Sequence, residues 1–229
     1  MTIGAALHHS LGPTTNAASL RRELGATPLK RFLAIAALAL GLSAPALAQE
    51  TTAPPQPAGP VVTLQTTMGE IQITLDPVGA PKTAAHFRGL VEKKYFNGAA
   101  VYRIEPGFVV QLGDLDAKLQ YREPPLPHVP LETATNKHSR GAVAFAHADD
   151  PDSGHGTFYF DLSENSGLDA TPGAPPNTTG YAVFGQVTAG MEVVDAIAAV
   201  ELAPEGGPFP GKLPKEPVVV TRAFVSRGE

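Results

Sequence analysis

The chain has 229 residues, 43% of them hydrophobic, with 23 Gly, 23 Pro and no Cys. Without cysteine it can form neither disulfides nor thiolate metal sites, and a net charge of −5 gives no basic surface to neutralise nucleic-acid phosphates. The length admits one large domain or two small ones.

Residues 1–48 read as an export leader. Lys30-Arg31 precede the apolar run FLAIAALALGL at 32–42, and Ala46-Leu47-Ala48 is a small-x-small cleavage site. The run is shorter than the roughly 20 apolar residues of a membrane span, so no stable membrane span is expected. Cleavage after Ala48 would leave Gln49 as the new N-terminus, and the mature protein is expected in the periplasm or secreted. Residues 1–29 lengthen the leader beyond the about 15–30 residues of a signal peptide, and they read as an over-called start. Arg21-Arg22 lack the apolar residues that should follow promptly in a twin-arginine signal. No cysteine follows the apolar run, which excludes a lipoprotein anchor. Residues 49–60, which include the Pro-rich TTAPPQPAGP, form an extended tether. The leader carries four of the 17 Lys/Arg and one of the 22 Asp/Glu, so the remainder holds 13 against 21, a net charge of −8.

The domain then occupies 61–229. Residues 61–66 and 70–75 alternate in polarity around a turn containing Gly69, the pattern of a hairpin. Pro81 suits the first turn of a helix, where no N–H is needed. Ala84, Phe87, Leu90 and Val91 recur at helical spacing through about Lys93. Asn97-Gly98 break the chain. Two alternating apolar runs flank Pro106-Gly107 in YRIEPGFVVQLGD, 102–114, and predict two adjacent strands. Further strands are predicted at 141–146, 157–161, 181–187 and 218–225. A second helix is predicted over 191–199, with Val194, Ile197 and Ala198 facing inward. Seven or eight strands with two helices make an all-β domain. The pattern leaves sandwich and barrel both open, although a barrel removes vulnerable edges.

One face of the 102–114 unit carries Arg103, Phe108 and Gln111: a cation, an aromatic floor and an amide. A guanidinium beside an apolar pocket can receive a proline ring and hydrogen-bond to the adjoining amide. The segment resembles the signature of cyclophilin-type peptidyl-prolyl isomerases, H/Y-R-x-x-P-G-F-x-x-Q-x-G-D. The resemblance continues in order through TTMGEIQITL (66–75), APKTAAHFRGLV (80–91), YFNGAAVYR (95–103), RGAVAFAHADDPDSGHGTFYFDL (140–162) and GYAVFGQVTAGMEVVDAI (180–197), spanning about 61–225.

That resemblance implies a cyclophilin-like eight-stranded antiparallel barrel capped by two α-helices, and prolyl isomerisation without a cofactor. It also implies roles. Arg103 matches the catalytic arginine, Phe108 the aromatic under the proline ring, and Gln111 the amide that orients arginine and substrate. Ala146, His147 and Ala148 match the stretch that pairs with the substrate backbone, and Leu168 the pocket leucine. Tyr159 takes a position that is usually Phe. Val109 replaces a Met, Thr157 a substrate-holding Gln and Tyr181 a His. Leu112 stands where a Gly is expected, and Gly167 where a rim Trp or Phe would be. These departures predict activity with altered affinity and specificity.

Two other constellations carry less. HADDPDSGH, 147–155, gathers metal-ligand types, but the glycine and final Glu of a calcium loop fall in the wrong places. It reads as a solvated acidic loop, and no metal is expected. Ser153, His155 and Asp161 lack a nucleophile elbow or an oxyanion loop. The Pro-rich 118–132 and the 171–179 loop are expected to border the groove. The whole reads as a monomeric, exported isomerase acting on proline-containing segments of exported proteins and assisting their folding. The alternative is a weakly active or inactive chaperone module that binds proline peptides.

Overall fold

A computed structural model describes residues 58–133 and 135–226; the expected leader, the expected cleavage site and most of the expected Pro-rich tether lie outside them. Alternating side chains first build a hairpin of β1 (Val61–Thr66) and β2 (Gly69–Leu75), whose pairing puts Leu64 opposite Ile71 and Val62 opposite Ile73, all four buried. Helix α1 (Pro81–Glu92) begins on its proline and buries Ala84, Phe87, Leu90 and Val91, the predicted stripe, together with Thr83. Strands β3 (Ala99–Glu105), β4 (Val109–Asp116), β5 (Ala142–Phe145), β6 (Phe158–Asp161) and β7 (Ala182–Ala189) follow. Helix α2 (Met191–Ala198) buries Val194 and Ile197, while Ala198 is only partly covered. A two-residue pair, β8 (Leu202–Ala203) with β9 (Leu213–Pro214), precedes the last strand, β10 (Val220–Val225).

The main sheet has the order β10-β1-β2-β7-β5-β6-β4-β3, antiparallel throughout. Its two outer strands nearly meet. The Gly98 N–H donates to Val220 O at 2.7 Å, the Val101 N–H donates to Val218 O at 2.9 Å, and Ala100 bridges Val219. The sheet is therefore a nearly closed eight-stranded barrel with two helices. Closure removes the exposed edges that an open sheet must otherwise protect.

Inside, Phe87, Phe96, Phe158, Phe160 and Phe184 are fully buried. Phe87 lies 4.7–5.0 Å from the rings of Phe184, Phe96 and Phe158, in tilted and edge-on contacts, the arrangements that aromatic quadrupoles favour. Leu112 points into this core, so the departure from glycine there fills the barrel and does not touch the outer face. No helix among the described residues is long and apolar enough to cross a membrane.

Candidate active site

Strands buried on both faces put a second set of side chains on the outside of the barrel. On β4, Val110 and Leu112 enter the core while Val109 faces out; on β6, Phe158 and Phe160 enter and Tyr159 faces out; on β5, Val143 and Phe145 enter and Ala142 and Ala144 face out. The outward residues join Val183 in a smaller apolar cluster, flanked by Phe108, Ala146, Leu168 and Tyr181. A cavity of about 260 Å³ opens there, lined by Arg103, Phe108, Val109, Gln111, Ala146, His147, Tyr159, Leu168, Tyr181 and Phe209. Nine of the eleven site residues expected from sequence thus share one wall. The other two, Ala148 and Thr157, line a larger adjoining cavity of about 520 Å³, which shares Gln111, Ala146, His147 and Phe209 with the first.

The polar side of the small cavity is a relay. Register shifts between Ala99 and Arg103 bring Arg103 directly opposite Gln111 across β3 and β4. The Arg103 Nη1 donates to Gln111 Oε1 at 3.0 Å, and Gln111 Nε2 donates to the Tyr102 hydroxyl at 3.1 Å. The Tyr102 hydroxyl donates in turn to Thr157 Oγ1 at 3.4 Å. Burial, aided by the Asp114 carboxylate, pushes the Tyr102 pKa well above the usual phenol range, so the hydroxyl stays a donor. Both ends of the buried Gln111 amide are engaged, which fixes its orientation and leaves the guanidinium one preferred edge.

The floor is pinned from behind. Gly107, at φ +75°, allows the turn after Pro106, and the Phe108 N–H donates to Glu105 O at 2.9 Å. The Phe108 carbonyl accepts from the Leu162 N–H at 2.8 Å and from Asn165 Nδ2 at 3.0 Å. Asn165 Nδ2 also donates to Asp161 Oδ1 at 2.6 Å. On the far wall, the Tyr159 hydroxyl lies 3.1 Å from His138 Nε2, and His138 Nδ1 lies 3.0 Å from Asp169 Oδ1. Burial lowers the His138 pKa against the pull of Asp169. A neutral imidazole can therefore donate to Asp169 and accept from Tyr159, which satisfies the hydroxyl that a phenylalanine would not carry. Tyr181 stacks on His147 at 4.5 Å.

Sequence reasoning missed Tyr102, His138, Asp161, Asn165 and Phe209. Phe209 has no local signal; it comes from a Gly/Pro loop more than a hundred residues after Arg103. The 118–132 segment borders the larger cavity through Tyr121, Pro124 and His128, as expected. The 171–179 loop lines neither cavity. It is tied elsewhere, with Asn177 Oδ1 accepting from the Thr133 N–H at 2.9 Å. Carboxylates of the acidic loop are occupied by backbone donors: Asp150 Oδ1 accepts from the Asp152 N–H at 3.0 Å, and Asp152 Oδ1 from the Leu131 N–H of the 118–132 segment at 2.9 Å. Ser153 Oγ donates to Asp150 O at 2.6 Å and His155 Nε2 faces Leu126 O at 2.6 Å, so these two and Asp161 form no triad.

A hollow with an aromatic floor and a cation on its wall accepts a small apolar ring attached to a hydrogen-bonding amide. Comparison with known proteins points the same way. The family model described as cyclophilin type peptidyl-prolyl cis-trans isomerase/CLD matches residues 61–225. A peptidyl-prolyl cis-trans isomerase of Acinetobacter baylyi is 32% identical over 163 residues, covering 71% of this chain and 84% of the relative. Peptidyl-prolyl cis-trans isomerase A of Dickeya dadantii is 33% identical over 200 residues, covering 86% and 97%. Among solved structures, a cyclophilin from Hirschia baltica matches with a TM-score of 0.57 at 23% identity, over 72% of this chain and 73% of that one. A Cryptosporidium parvum cyclophilin-type isomerase, crystallised in the presence of the dipeptide Ala-Pro, matches with a TM-score of 0.59 at 17% identity, over 73% and 99%.

Proposed function

The chain belongs to the cyclophilin-type peptidyl-prolyl cis-trans isomerases, and from that premise we propose how it works and on what. Amide resonance sets a barrier of about 18–20 kcal/mol to rotation, and unaided prolyl bonds flip in tens to hundreds of seconds. Reaching milliseconds takes about five decades, roughly 7 kcal/mol off that barrier. Neither a nucleophile nor a general base is needed. Twisting the bond breaks its resonance and leaves a lone pair on a pyramidal prolyl nitrogen. Arg103 donates a hydrogen bond to that lone pair, which is available as an acceptor chiefly in the transition state. Such a bond raises the rate and not merely the affinity. Phe108, with Val109, Tyr159 and Leu168, holds the proline ring, and Gln111 fixes the donor beforehand, so little reorganisation is left for the reaction itself.

The observation that carries this reading is the Arg103–Gln111 hydrogen bond of 3.0 Å on the wall of the cavity that Phe108 floors. The protein acts as a monomer, and its substrates are proline-containing segments of exported proteins; that they are met in the periplasm or outside the cell is supported by the leader pattern at 30–48. The second reading, a peptide-binding module that turns over slowly, is favoured by Gly167, where a Cβ would meet nothing within 4 Å and the rim stands open. A prolyl-isomerisation assay on a proline tetrapeptide separates them, using the chain from Gln49 onward and its Arg103→Ala variant. A robust wild-type rate that falls about 100-fold or more in the variant, on the order of 3 kcal/mol, supports the proposal. A folded wild type with no rate above background favours the binding module.

A further inference from the structure

The Arg103 guanidinium is held along one edge and covered on one face. Its Nη1 donates to Gln111, its Nη2 lies 3.5 Å from Glu105 Oε1, and its Nε is buried without a partner. The covering group is Phe209, whose ring centroid lies 4.7 Å from the guanidinium carbon. The same ring stacks near-parallel to Tyr102, at 6.4 Å and 8°.

Phe209 belongs to the loop between β8 and β9, and that loop is laced to β3 on the C-terminal side of Arg103. The Lys212 N–H donates to Phe209 O at 3.1 Å, the Ile104 N–H donates to Lys212 O at 2.8 Å, and Lys212 Nζ pairs with Glu105 Oε2 at 2.6 Å. The turn carrying the aromatic is thus anchored to the two residues that follow the arginine. Phe209 also lines both cavities, so it stands where they join. Arginine has a flexible stem, and a hydrogen bond made only in the transition state needs its donor already aimed. A cation over an aromatic face is held against that face by the ring quadrupole.

We propose that Phe209 is a positioning residue for prolyl isomerisation, its ring keeping the Arg103 guanidinium screened from water and aimed into the small cavity. The proposal rests on the role of Arg103 given above. Three variants test it: Phe209→Ala, Phe209→Leu, which keeps apolar bulk without the ring, and Phe209→Tyr, which keeps the ring. Phe209→Ala and Phe209→Leu should each lower kcat about tenfold while KM stays within about twofold, and Phe209→Tyr should restore kcat. Independently of turnover, the NMR signal of the Arg103 Nε–H should lose its aromatic ring-current shift in the Ala and Leu variants and keep it in the Tyr variant. If Phe209→Leu turns over like wild type, or the Arg103 signal is the same in all variants, the proposal fails. An inactive wild type would count against the isomerase mechanism alone, and the Arg103 signal would still decide whether Phe209 holds the guanidinium.

Discussion

Behind the floor of the pocket, Asp161 is wholly buried, with Asn165 on one carboxyl oxygen and nothing on the other. Burial pushes its pKa up to about 7. An unfolded carboxyl titrates near 4, so between roughly pH 4 and 7 the folded chain holds a proton that the unfolded chain has released. Stability therefore falls as pH rises through that window, by up to about 1.4 kcal/mol per pH unit from this group. Asp161→Asn keeps the acceptor for Asn165 and cannot ionise. Its gain in Tm over wild type should be larger at pH 8 than at pH 4.5, and an equal gain at both would show that Asp161 titrates normally. Gly167 gives a second test at this scale. With open space above its Cα, Gly167→Phe should fold as well as wild type and lower KM for a proline peptide severalfold, since added aromatic contact is worth on the order of 1 kcal/mol; an unchanged KM would show that position 167 lies outside peptide reach.

Helix α1 shows how an element depends on distant sequence. Its N-cap residue, Ala80, offers no side-chain acceptor. Glu132 supplies one from fifty residues away: its carboxylate accepts from the Lys82 and Thr83 N–H groups at 3.2 and 2.8 Å, and from Thr83 Oγ1 at 2.8 Å. A carboxylate at this end also meets the positive pole of the helix. Glu132→Ala should therefore cost about 1–2 kcal/mol in urea unfolding, with Glu132→Gln intermediate; a loss below about 0.3 kcal/mol would mean that water caps the helix equally well. The helix itself was legible because Pro81 and the Ala84–Phe87–Leu90–Val91 spacing are local signals, and β1 and β2 were legible through strict alternation. The β8–β9 pair was not, because two residues per strand give no period to read. The Glu132 cap was invisible for the same reason as Phe209: contacts across fifty or a hundred residues leave no mark on spacing.

At the scale of the molecule, barrel closure gives the site its shape. Strands covered on both faces supply an inner core and an outer apolar patch at once, and the small cavity opens at that patch. Periodicity alone could not choose between barrel and sandwich; the ordered family blocks did, and the contacts of β3 with β10 bear out the barrel. The Arg103, Phe108 and Gln111 face was readable because one short stretch holds all three. Its braces, Asn165, His138 and Phe209, lie on three other segments that only the fold brings to the pocket. The central claim is that Arg103 acts on the twisted prolyl bond and not on the resting peptide. NMR exchange followed through a titration of a proline peptide up to saturation, which reports cis-trans interconversion on the enzyme and peptide affinity together, tests this most directly in wild type and Arg103→Ala. The account predicts that interconversion on the variant falls about 100-fold or more while Kd changes by less than about threefold. Interconversion that persists in Arg103→Ala, or a loss explained wholly by weaker binding, would contradict it.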